Sequence, residues 1–315
     1  MNNYCFGVDV GGTTVKLGLF TPEGKVLEKW EIPSRTENGG SAILPDIAAS
    51  VTEKMKEREI AKEAVIGIGI GVPGPVNDDG VIDKTANLGW GVKNIHEELG
   101  TLLGLPVKAG NDANVAALGE MWRGGGMGSK NIVLATLGTG VGGGIIVNGK
   151  IVTGANGAGG EIGHMHILDD EPDECGCGNH GCLEQYASAT GIVRLARRRL
   201  AASDDESVLR ISQEKNELTA KTVFDAVKSG DKVACEIAEE FGMYLGKGFA
   251  AIAAVVDPEV FVLGGGVSKA GEILCKYVAK HYKKYAFHAC RNAAFKLAML
   301  GNDAGIYGAA KLVLG

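Results

Sequence analysis

The first thirty residues alternate between apolar runs and short polar or glycine-rich breaks. The runs "YCFGVDV" (4–10) and "VKLGLF" (15–20) have the apolar content and the length of buried strands, and "GGTT" (11–14) separates them. "PEG" (22–24) then turns the chain into a third run, "KVLEKWEI". This pattern predicts that the chain opens with a strand, a glycine-rich turn and two further strands.

The following segments change to a helical period and then back to strands. A helix is predicted over 41–58, where an apolar residue recurs every four positions on one face: Ile43, Ile47, Val51 and Met55. "AVIGIGIGVPGPV" (64–76) predicts a buried strand that ends in a Pro/Gly turn. "LPVKAGNDANVAALGEMW" (105–122) predicts a short strand followed by a helix, with Asn111 and Asp112 as candidate N-cap residues.

The opening pattern recurs in the middle of the chain. "NIVLATLGTGVGGGIIVNGKIV" (131–152) predicts strand, glycine-rich turn, strand, turn and strand, as at 4–32. Two such repeats, each followed by alternating helices and strands, predict two related α/β halves. Later, "VFVLGGGVSKAGEIL" (260–274) predicts a strand, a triple glycine and a helix capped by Ser268.

The composition fits an ordinary globular protein of about two domains. The 315 residues are 45% hydrophobic, and the net charge of −6 argues against a general nucleic-acid or membrane-surface binder. The N-terminus lacks the basic start and apolar core of a secretion signal, so we expect a cytoplasmic protein. Scattered cysteines in apolar patterns are typical of buried free thiols: Cys5, Cys235, Cys275 and Cys290. A basic run predicts a solvated helix face: Arg194, Arg197, Arg198 and Arg199.

Three glycine-rich turns indicate a nucleotide, because glycines let backbone N–H groups approach phosphate oxygens. They lie at 11–14, 138–144 and 264–266. The first joins strand to strand and lacks Gly-Lys-Ser/Thr, which excludes a Walker loop, and the third is suited to lie against an adenine ring. Asp9 lies near the carboxyl end of the first strand, where a carboxylate is suited to Mg²⁺. The candidate nucleotide-binding residues are Asp9, Gly11, Gly12, Thr13, Thr14, Lys16, Gly138, Thr139, Gly140, Gly264, Gly265 and Gly266.

The segment "CGCGNHGCLEQYAS" (175–188) has the chemistry of a metal site. Cys175, Cys177 and Cys182 offer three soft thiolate ligands, and a tetrahedral Zn²⁺ needs a fourth. A nucleic-acid zinc finger is disfavoured because the preceding interval, "ILDDEPDE", is acidic and paired C-x2-C halves are missing. A redox pair is disfavoured because C-x-C has poor disulfide geometry. We therefore expect a structural zinc.

Several motifs together resemble those of the ROK family of sugar kinases. They are "DVGGTTVKLGLF", "GVPGPV", "NDANVAALGEMW", "LGTGVGGGII", "GAGGEIGH", "CGCGNHGCLEQYASATG" and "VLGGGVS", and only about 200–222 carries no recognised motif. The resemblance implies an α/β, actin-like ATPase fold with two ribonuclease H-like domains and a cleft. It places the smaller domain at 1–115 plus about 300–315, and the larger, zinc-bearing domain at 116–299. It also implies ATP-dependent phosphorylation of a hexose, most closely of glucose at the 6-hydroxyl, and frequently a homodimer.

The resemblance also assigns roles to particular residues. It makes Asp112 the general base, a residue that the pattern alone identifies only as a helix cap. It makes His164 the fourth zinc ligand with Cys175, Cys177 and Cys182, although His166 and His180 are local competitors. The implied sugar-binding residues are Gly74, Asn87, Asn111, Asp112, Glu161, His164 and Glu184.

Two alternatives stay open beside glucose. Members of the same family phosphorylate other hexoses, such as N-acetylmannosamine, N-acetylglucosamine, fructose and allose, and no residue here selects among them by its chemistry. Family members that act as sugar-responsive repressors carry a helix-turn-helix domain ahead of the kinase-like part. Because the first strand begins at residue 4 and Asp112 is present, we expect a kinase rather than a repressor.

Overall fold

The computed structural model describes residues 3–83, 85 and 87–315 and divides into two compact units. The first unit comprises residues up to Lys130, Gly144–Gly160 and Met299–Gly315, and the second comprises Asn131–Gly143 and Glu161–Ala298. Within the described ranges, no helix is both long enough and apolar enough to cross a membrane.

Among the described residues, nine strands fall within the segments that the apolar runs predict, whereas three short strands, at 81–82, 93–94 and 294–297, were not predicted. The strands are β1 (Tyr4–Val10), β2 (Thr14–Phe20), β3 (Val26–Pro33), β4 (Val65–Val72), β5 (Val81–Ile82), β6 (Lys93–Asn94), β7 (Val107–Asn111), β8 (Ile132–Leu137), β9 (Val141–Val147), β10 (Lys150–Ile151), β11 (Val260–Gly264) and β12 (Ala294–Leu297). The helices are α1 (Glu37–Gly40), α2 (Ile43–Glu57), α3 (Ile95–Leu103), α4 (Asp112–Arg123), α5 (Glu184–Ala187), α6 (Ala189–Ala202), α7 (Val208–Glu214), α8 (Ala220–Lys228), α9 (Lys232–Val256), α10 (Glu272–Tyr285) and α11 (Ala304–Leu314).

The two larger sheets have the same strand order, which confirms the predicted duplication. One runs β3-β2-β1-β4-β7 and the other β10-β9-β8-β11-β12. In the first sheet β1 is antiparallel to β2 and parallel to β4. In the second, β11 is parallel to both β8 and β12. Each repeat therefore places a hairpin at one side of the sheet and parallel strands at the other.

Alternating isoleucine and glycine in β4 explain how the first unit is packed. Ile68 and Ile70 are fully buried in the apolar core between the sheet and helices α2 and α3. The glycines point to the opposite face, where α11 lies so close that a Cβ on Gly69 would overlap the Ala309 backbone. Helix α4 packs on α11 in the same way, since a Cβ on Gly308 would overlap the carbonyl of Val115. These glycines let α11 approach the sheet, and α4 approach α11, at backbone distance.

The second unit is built around α9, whose apolar side is buried along most of its length. Strand β11 is buried throughout, and its Phe261 stacks on Phe249 of α9 with ring centroids 4.5 Å apart. Phe295 of β12 also stacks on Phe261, at 5.2 Å, and its ring centroid lies 6.1 Å from that of Phe249. This aromatic stack joins the sheet to the long helix.

The predicted cap at Ser268 is wrong. Residues Gly266–Ala270 form a 3₁₀ turn, and α10 begins at Glu272 with Gly271 at its N-cap position. The Ser268 hydroxyl donates instead to the carbonyl of Gly265, at 2.8 Å. Gly271 has a φ of 87°, which favours glycine, so the chain enters the helix later than the serine suggested.

The compact units end at different residues from the predicted domains. The predicted boundary at 115–116 would divide α4, whereas α4 lies wholly in the first unit because it packs on α11. The segment Gly144–Gly160 also belongs to the first unit. The domain limits themselves stay a prediction.

Candidate active site

The junction of β7 and α4 carries the predicted catalytic residue. Asn111 caps α4: its Oδ1 accepts from the backbone N–H groups of Ala113, at 3.0 Å, and Asn114, at 3.1 Å. Its Nδ2 donates to the carbonyl of Gly74, at 3.2 Å, so the structure brings these two predicted sugar-binding residues together. Asp112 is the first residue of the helix, and its Oδ1 accepts from the N–H of Ala113 at 2.8 Å. Its carboxylate therefore lies in the positive field of a helix N-terminus.

Asp9 is the most perturbed carboxylate of this region. Burial raises its pKa to about 6, neighbouring Lys16 opposes the rise, and the Asp112 carboxylate adds to it. The two carboxylates are thus electrostatic neighbours in the first unit. Gly305 of α11 leaves room for Asp9, because a Cβ at this glycine would lie 2.5 Å from the carboxyl carbon of Asp9. Lys16 also donates to the carbonyl of Asn302, at 3.1 Å.

The first glycine-rich turn presents its tip to solvent. Gly12 and Thr13 are exposed, while the N–H of Gly11 donates to the carbonyl of Thr14 at 3.0 Å and closes the turn. Asn87 is also exposed, and its Cβ lies 3.9 Å from the position that a Cβ on Gly12 would occupy. The structure therefore brings Asn87, predicted for the sugar, beside the turn predicted for phosphates.

In the second unit, the second and third turns meet at one cavity. The cavity has a volume of about 340 Å³ and is lined by Thr136, Gly138, Gly140, Val141, Gly142, Glu184 and Gly265. Gly265 has a φ of 80° and lies against the backbone of Leu137, where a Cβ would come within 2.5 Å of the Leu137 carbonyl oxygen. Four of the lining residues are glycines, so a ligand can approach the backbone closely there.

Glu184 reaches this cavity from α5. Its Oε2 accepts from the N–H of Val141 at 3.3 Å, and a Cβ on Gly140 would lie 2.5 Å from the same oxygen. Its Oε1 lies 3.1 Å from the Cys175 sulfur and 3.9 Å from Nδ1 of His164. One carboxylate thus spans the second glycine-rich turn and the predicted zinc ligands.

The predicted metal ligands form one cluster, which we call the Cys/His cluster: His164, Cys175, Cys177 and Cys182. Their ligand atoms all lie within 4.8 Å of one another. The Cys177 and Cys182 sulfurs are 3.6 Å apart, and the Cys175 sulfur lies 3.8 Å from Nδ1 of His164. Thiolates around a tetrahedral Zn²⁺ are about 3.8 Å apart, and a disulfide would bring two sulfurs to about 2 Å. The spacing and the soft donor set fit Zn²⁺.

The competing histidines are engaged elsewhere. His166 contacts Asp169 through Nε2, at 2.9 Å, and the carbonyl of His180 through Nδ1, at 3.0 Å. His180 contacts the carbonyl of Glu171 at 3.1 Å. Glu161 immediately precedes the 3₁₀ turn that carries His164, and its carbonyl accepts from the His164 N–H at 3.2 Å. Glu161 is therefore held next to the cluster through the backbone.

Of the four arginines predicted to form a solvated face on α6, Arg197 and Arg198 are exposed, whereas Arg194 and Arg199 are half-buried. Arg194 and Arg198 both form ion pairs with Glu171, whose side chain is fully buried. Burial alone would raise the pKa of Glu171, but hydrogen bonds from Tyr186, the Asp173 backbone and Arg198 outweigh it and hold the pKa at about 2. Sequence reasoning missed Glu171 because it is one acid among several in an acidic segment.

A second buried carboxylate also escaped prediction. Glu120 of α4 is 1% exposed and accepts from the N–H groups of Gly125, at 2.7 Å, Met299, at 3.0 Å, and Leu300, at 2.8 Å. It ties the chain after α4 to the segment that leads into α11. The sequence feature that could have indicated a buried Glu120 is its position as the single acid among the small and apolar residues of "AALGEMW".

Comparisons with known proteins agree in family and fold. The ROK family model matches residues 5–315. A glucokinase of Halalkalibacterium halodurans is 44% identical over 98% of this chain and 94% of its own length. A ROK family glucokinase from Streptomyces griseus, solved with glucose and AMPPNP, is 33% identical over 98% of this chain and 99% of its own, with a TM-score of 0.73. ROK hexokinase from Thermus thermophilus is 31% identical over 98% and 97%, with a TM-score of 0.78. The predicted actin-like ATPase fold is confirmed.

Proposed function

The chain belongs to the ROK family, and from that membership we propose that it is an ATP-dependent hexose kinase that phosphorylates glucose at the 6-hydroxyl. The observation that carries the proposal is the 44% identity with a glucokinase over 98% of this chain. The site geometry supports it, because the motif residues form two clusters rather than scattered turns. A homodimer stays a prediction from the resemblance, and a cytoplasmic location stays a prediction from the sequence.

In the proposed mechanism Asp112 accepts the proton of the sugar hydroxyl as that hydroxyl attacks the γ-phosphate of ATP. The bond between the γ-phosphorus and the bridging oxygen breaks, and ADP leaves. Asn111 donates hydrogen bonds to neighbouring sugar hydroxyls and is itself held by Gly74 and the α4 backbone. Glu161, His164 and Glu184 supply further hydrogen-bond partners for the sugar. The glycine-rich turns position the phosphates through backbone N–H groups.

Two metals complete the proposal. Asp9 would hold Mg²⁺, directly or through water, and this ion would neutralise phosphate charge. The Cys/His cluster would hold a structural Zn²⁺, which stiffens the segment between His164 and Glu184. Burial raises the pKa of the Cys175 thiol to about 12, so binding must displace a thiol proton there.

The Asp112 assignment is tested with purified enzyme, ATP, Mg²⁺ and glucose. We expect Asp112→Asn to lower kcat by about 10²- to 10⁴-fold, the usual contribution of general-base catalysis, with unchanged folding and zinc content. Asp46→Asn is the matched control, because Asp46 is likewise an aspartate in the first turn of a helix of the first unit. It should stay within about twofold of the parent enzyme. Near-parental turnover by Asp112→Asn would remove Asp112 from the role of base.

A further inference from the structure

Glu184 lies on a helix too short to hold its own orientation. Helix α5 spans only Glu184–Ala187, and a single helical turn is unstable without tertiary contacts. The direction of the Glu184 carboxylate must therefore be set by what α5 packs against. The next two residues after Glu184 are both buried and both bonded to the acidic segment 169–174.

The first of these bonds joins α5 to the backbone of the acidic segment. Gln185 donates through Nε2 to the carbonyl of Asp173 at 2.8 Å, and its Oε1 accepts from the N–H of Cys182 at 3.0 Å. This amide therefore links the segment 169–174, α5 and one member of the Cys/His cluster. It restrains α5 along one side.

The second bond joins Tyr186, the residue after Gln185, to the buried carboxylate of Glu171. The Tyr186 hydroxyl donates to Oε2 of Glu171, and the Tyr186 ring stacks on Tyr244 of α9 with centroids 4.3 Å apart. Neither Tyr186 nor the Glu171 side chain is exposed to solvent. The hydroxyl is thereby fixed by one hydrogen bond and by a ring packed on the long helix.

Two arginines of α6 hold the Glu171 carboxylate in turn. Arg198 donates to Oε1 at 3.0 Å, and Arg194 also donates to Oε1 while its guanidinium lies 5.8 Å from the centre of the Tyr186 ring. The Asp173 N–H donates to Oε1 at 3.0 Å. A buried carboxylate with this many donors is rigidly oriented, because each bond restricts the same two oxygens.

We propose that Glu171 is a positioning residue for sugar binding: through Tyr186 and the α6 arginines it sets the orientation of α5 and hence of the Glu184 carboxylate. This inference rests on the proposed function, because it gives Glu184 its role toward the sugar. Glu171 touches neither sugar nor nucleotide in this account. Because the Glu184 carboxylate also accepts a hydrogen bond from Val141 beside the second glycine-rich turn, the effect should be much larger for sugar affinity than for nucleotide affinity.

The test compares Glu171→Gln with the parent enzyme in ATP-dependent glucose phosphorylation. We expect the KM for glucose to rise roughly tenfold, with kcat and the KM for ATP within about twofold, since a displaced positioning group weakens the interaction it positions. Zinc content should be unchanged. An unchanged glucose KM, or equal increases in both KM values, would overturn the proposal, because a merely structural role lowers stability without selecting one substrate.

Two further variants keep the test decisive. Glu236→Gln is the matched control: it makes the same change in an ion pair of 2.7 Å with Arg199 of α6, but the Glu236 side chain is 45% exposed. It should leave both KM values within about twofold. If Glu171→Gln does not fold, Tyr186→Phe removes one hydrogen bond, keeps the stack on Tyr244, and should raise the glucose KM in the same direction. Inactivity of the parent enzyme would instead refute the proposed function.

Discussion

Replacing Asp9 by asparagine should make the protein more stable at neutral pH while removing its activity. Burial raises the pKa of Asp9 from 3.8 to about 6, with Lys16 opposing the rise and Asp112 adding to it. At neutral pH Asp9 is ionised in both states, but its ionised form is less favourable in the folded protein than in the unfolded chain, so its charge lowers the free energy of unfolding. Asparagine has nearly the same shape, so it can fill the space left by Gly305 without carrying the charge.

The difference between a pKa of 3.8 and one of about 6 corresponds to about 3 kcal/mol of unfolding free energy. Because the folded-state pKa is raised, this destabilisation is complete above pH 6, shrinks as the pH falls through 6, and vanishes below 3.8. Asp9 is partly accessible to solvent, which reduces the effect. We expect Asp9→Asn to be more stable than the parent by about 1 to 3 kcal/mol at pH 7.5 and by no more than about 0.5 kcal/mol near pH 4.

The assay is urea denaturation followed by circular dichroism at several pH values between 7.5 and 4. The buffer contains no Mg²⁺, nucleotide or chelator, so that neither ligand binding nor zinc removal contributes. Asp225→Asn is the control, because Asp225 is exposed and forms a surface ion pair with Lys221 at 2.6 Å. It should change stability by less than about 0.5 kcal/mol. A loss of stability in Asp9→Asn at pH 7.5, or a gain that does not shrink in acid, would refute this reasoning.

Two further predictions concern the second unit. Gly140→Ala places a Cβ 2.5 Å from Oε2 of Glu184, so we expect the glucose KM to rise about tenfold. In the control variant, Gly91→Ala, the new Cβ meets no atom within 4 Å, and the glucose KM should be unchanged. Equal glucose KM values for both variants would argue against Glu184 as a sugar ligand. Cys177→Ser should lose zinc, measured by elemental analysis, and should bind glucose more weakly. Cys235 lies outside the Cys/His cluster, so Cys235→Ser should keep its zinc content and its glucose affinity. Full zinc content in Cys177→Ser would remove Cys177 from the ligand set.

The elements near the glycine-rich turns could be predicted closely from sequence, because their signals are local. The runs at 4–10 and 15–20 coincide with β1 and β2. Of the two predicted N-cap candidates for α4, Asn111 is the one that caps the helix. The prediction of an N-cap at Ser268 was wrong because α10 begins later, after Gly271, which has a positive φ. The presence of a serine at 268 does not indicate where that glycine places the helix start. Local patterns predict elements well where no unusual backbone conformation follows.

Contacts between residues far apart in the sequence could not be predicted from local sequence patterns. Arg194 and Arg198 have the spacing of a solvated helix face, and only the fold shows that Glu171, more than twenty residues earlier, lies against them. Glu184 follows Cys182 by two residues, so its closeness to the Cys/His cluster follows from the sequence alone. Sequence spacing could not predict that the same carboxylate reaches the second glycine-rich turn, because that contact joins residues forty-three positions apart.

The measurement that tests the central claim most directly is ATP-dependent phosphorylation across a panel of sugars with Mg²⁺ present. The panel contains glucose, mannose, fructose, N-acetylmannosamine and N-acetylglucosamine, and kcat/KM is compared for each. The proposal predicts that glucose leads by at least about tenfold and that the product carries its phosphate on the 6-hydroxyl. A lead for an acetylated sugar would contradict the assignment to glucose, and no turnover on any sugar would contradict the kinase itself.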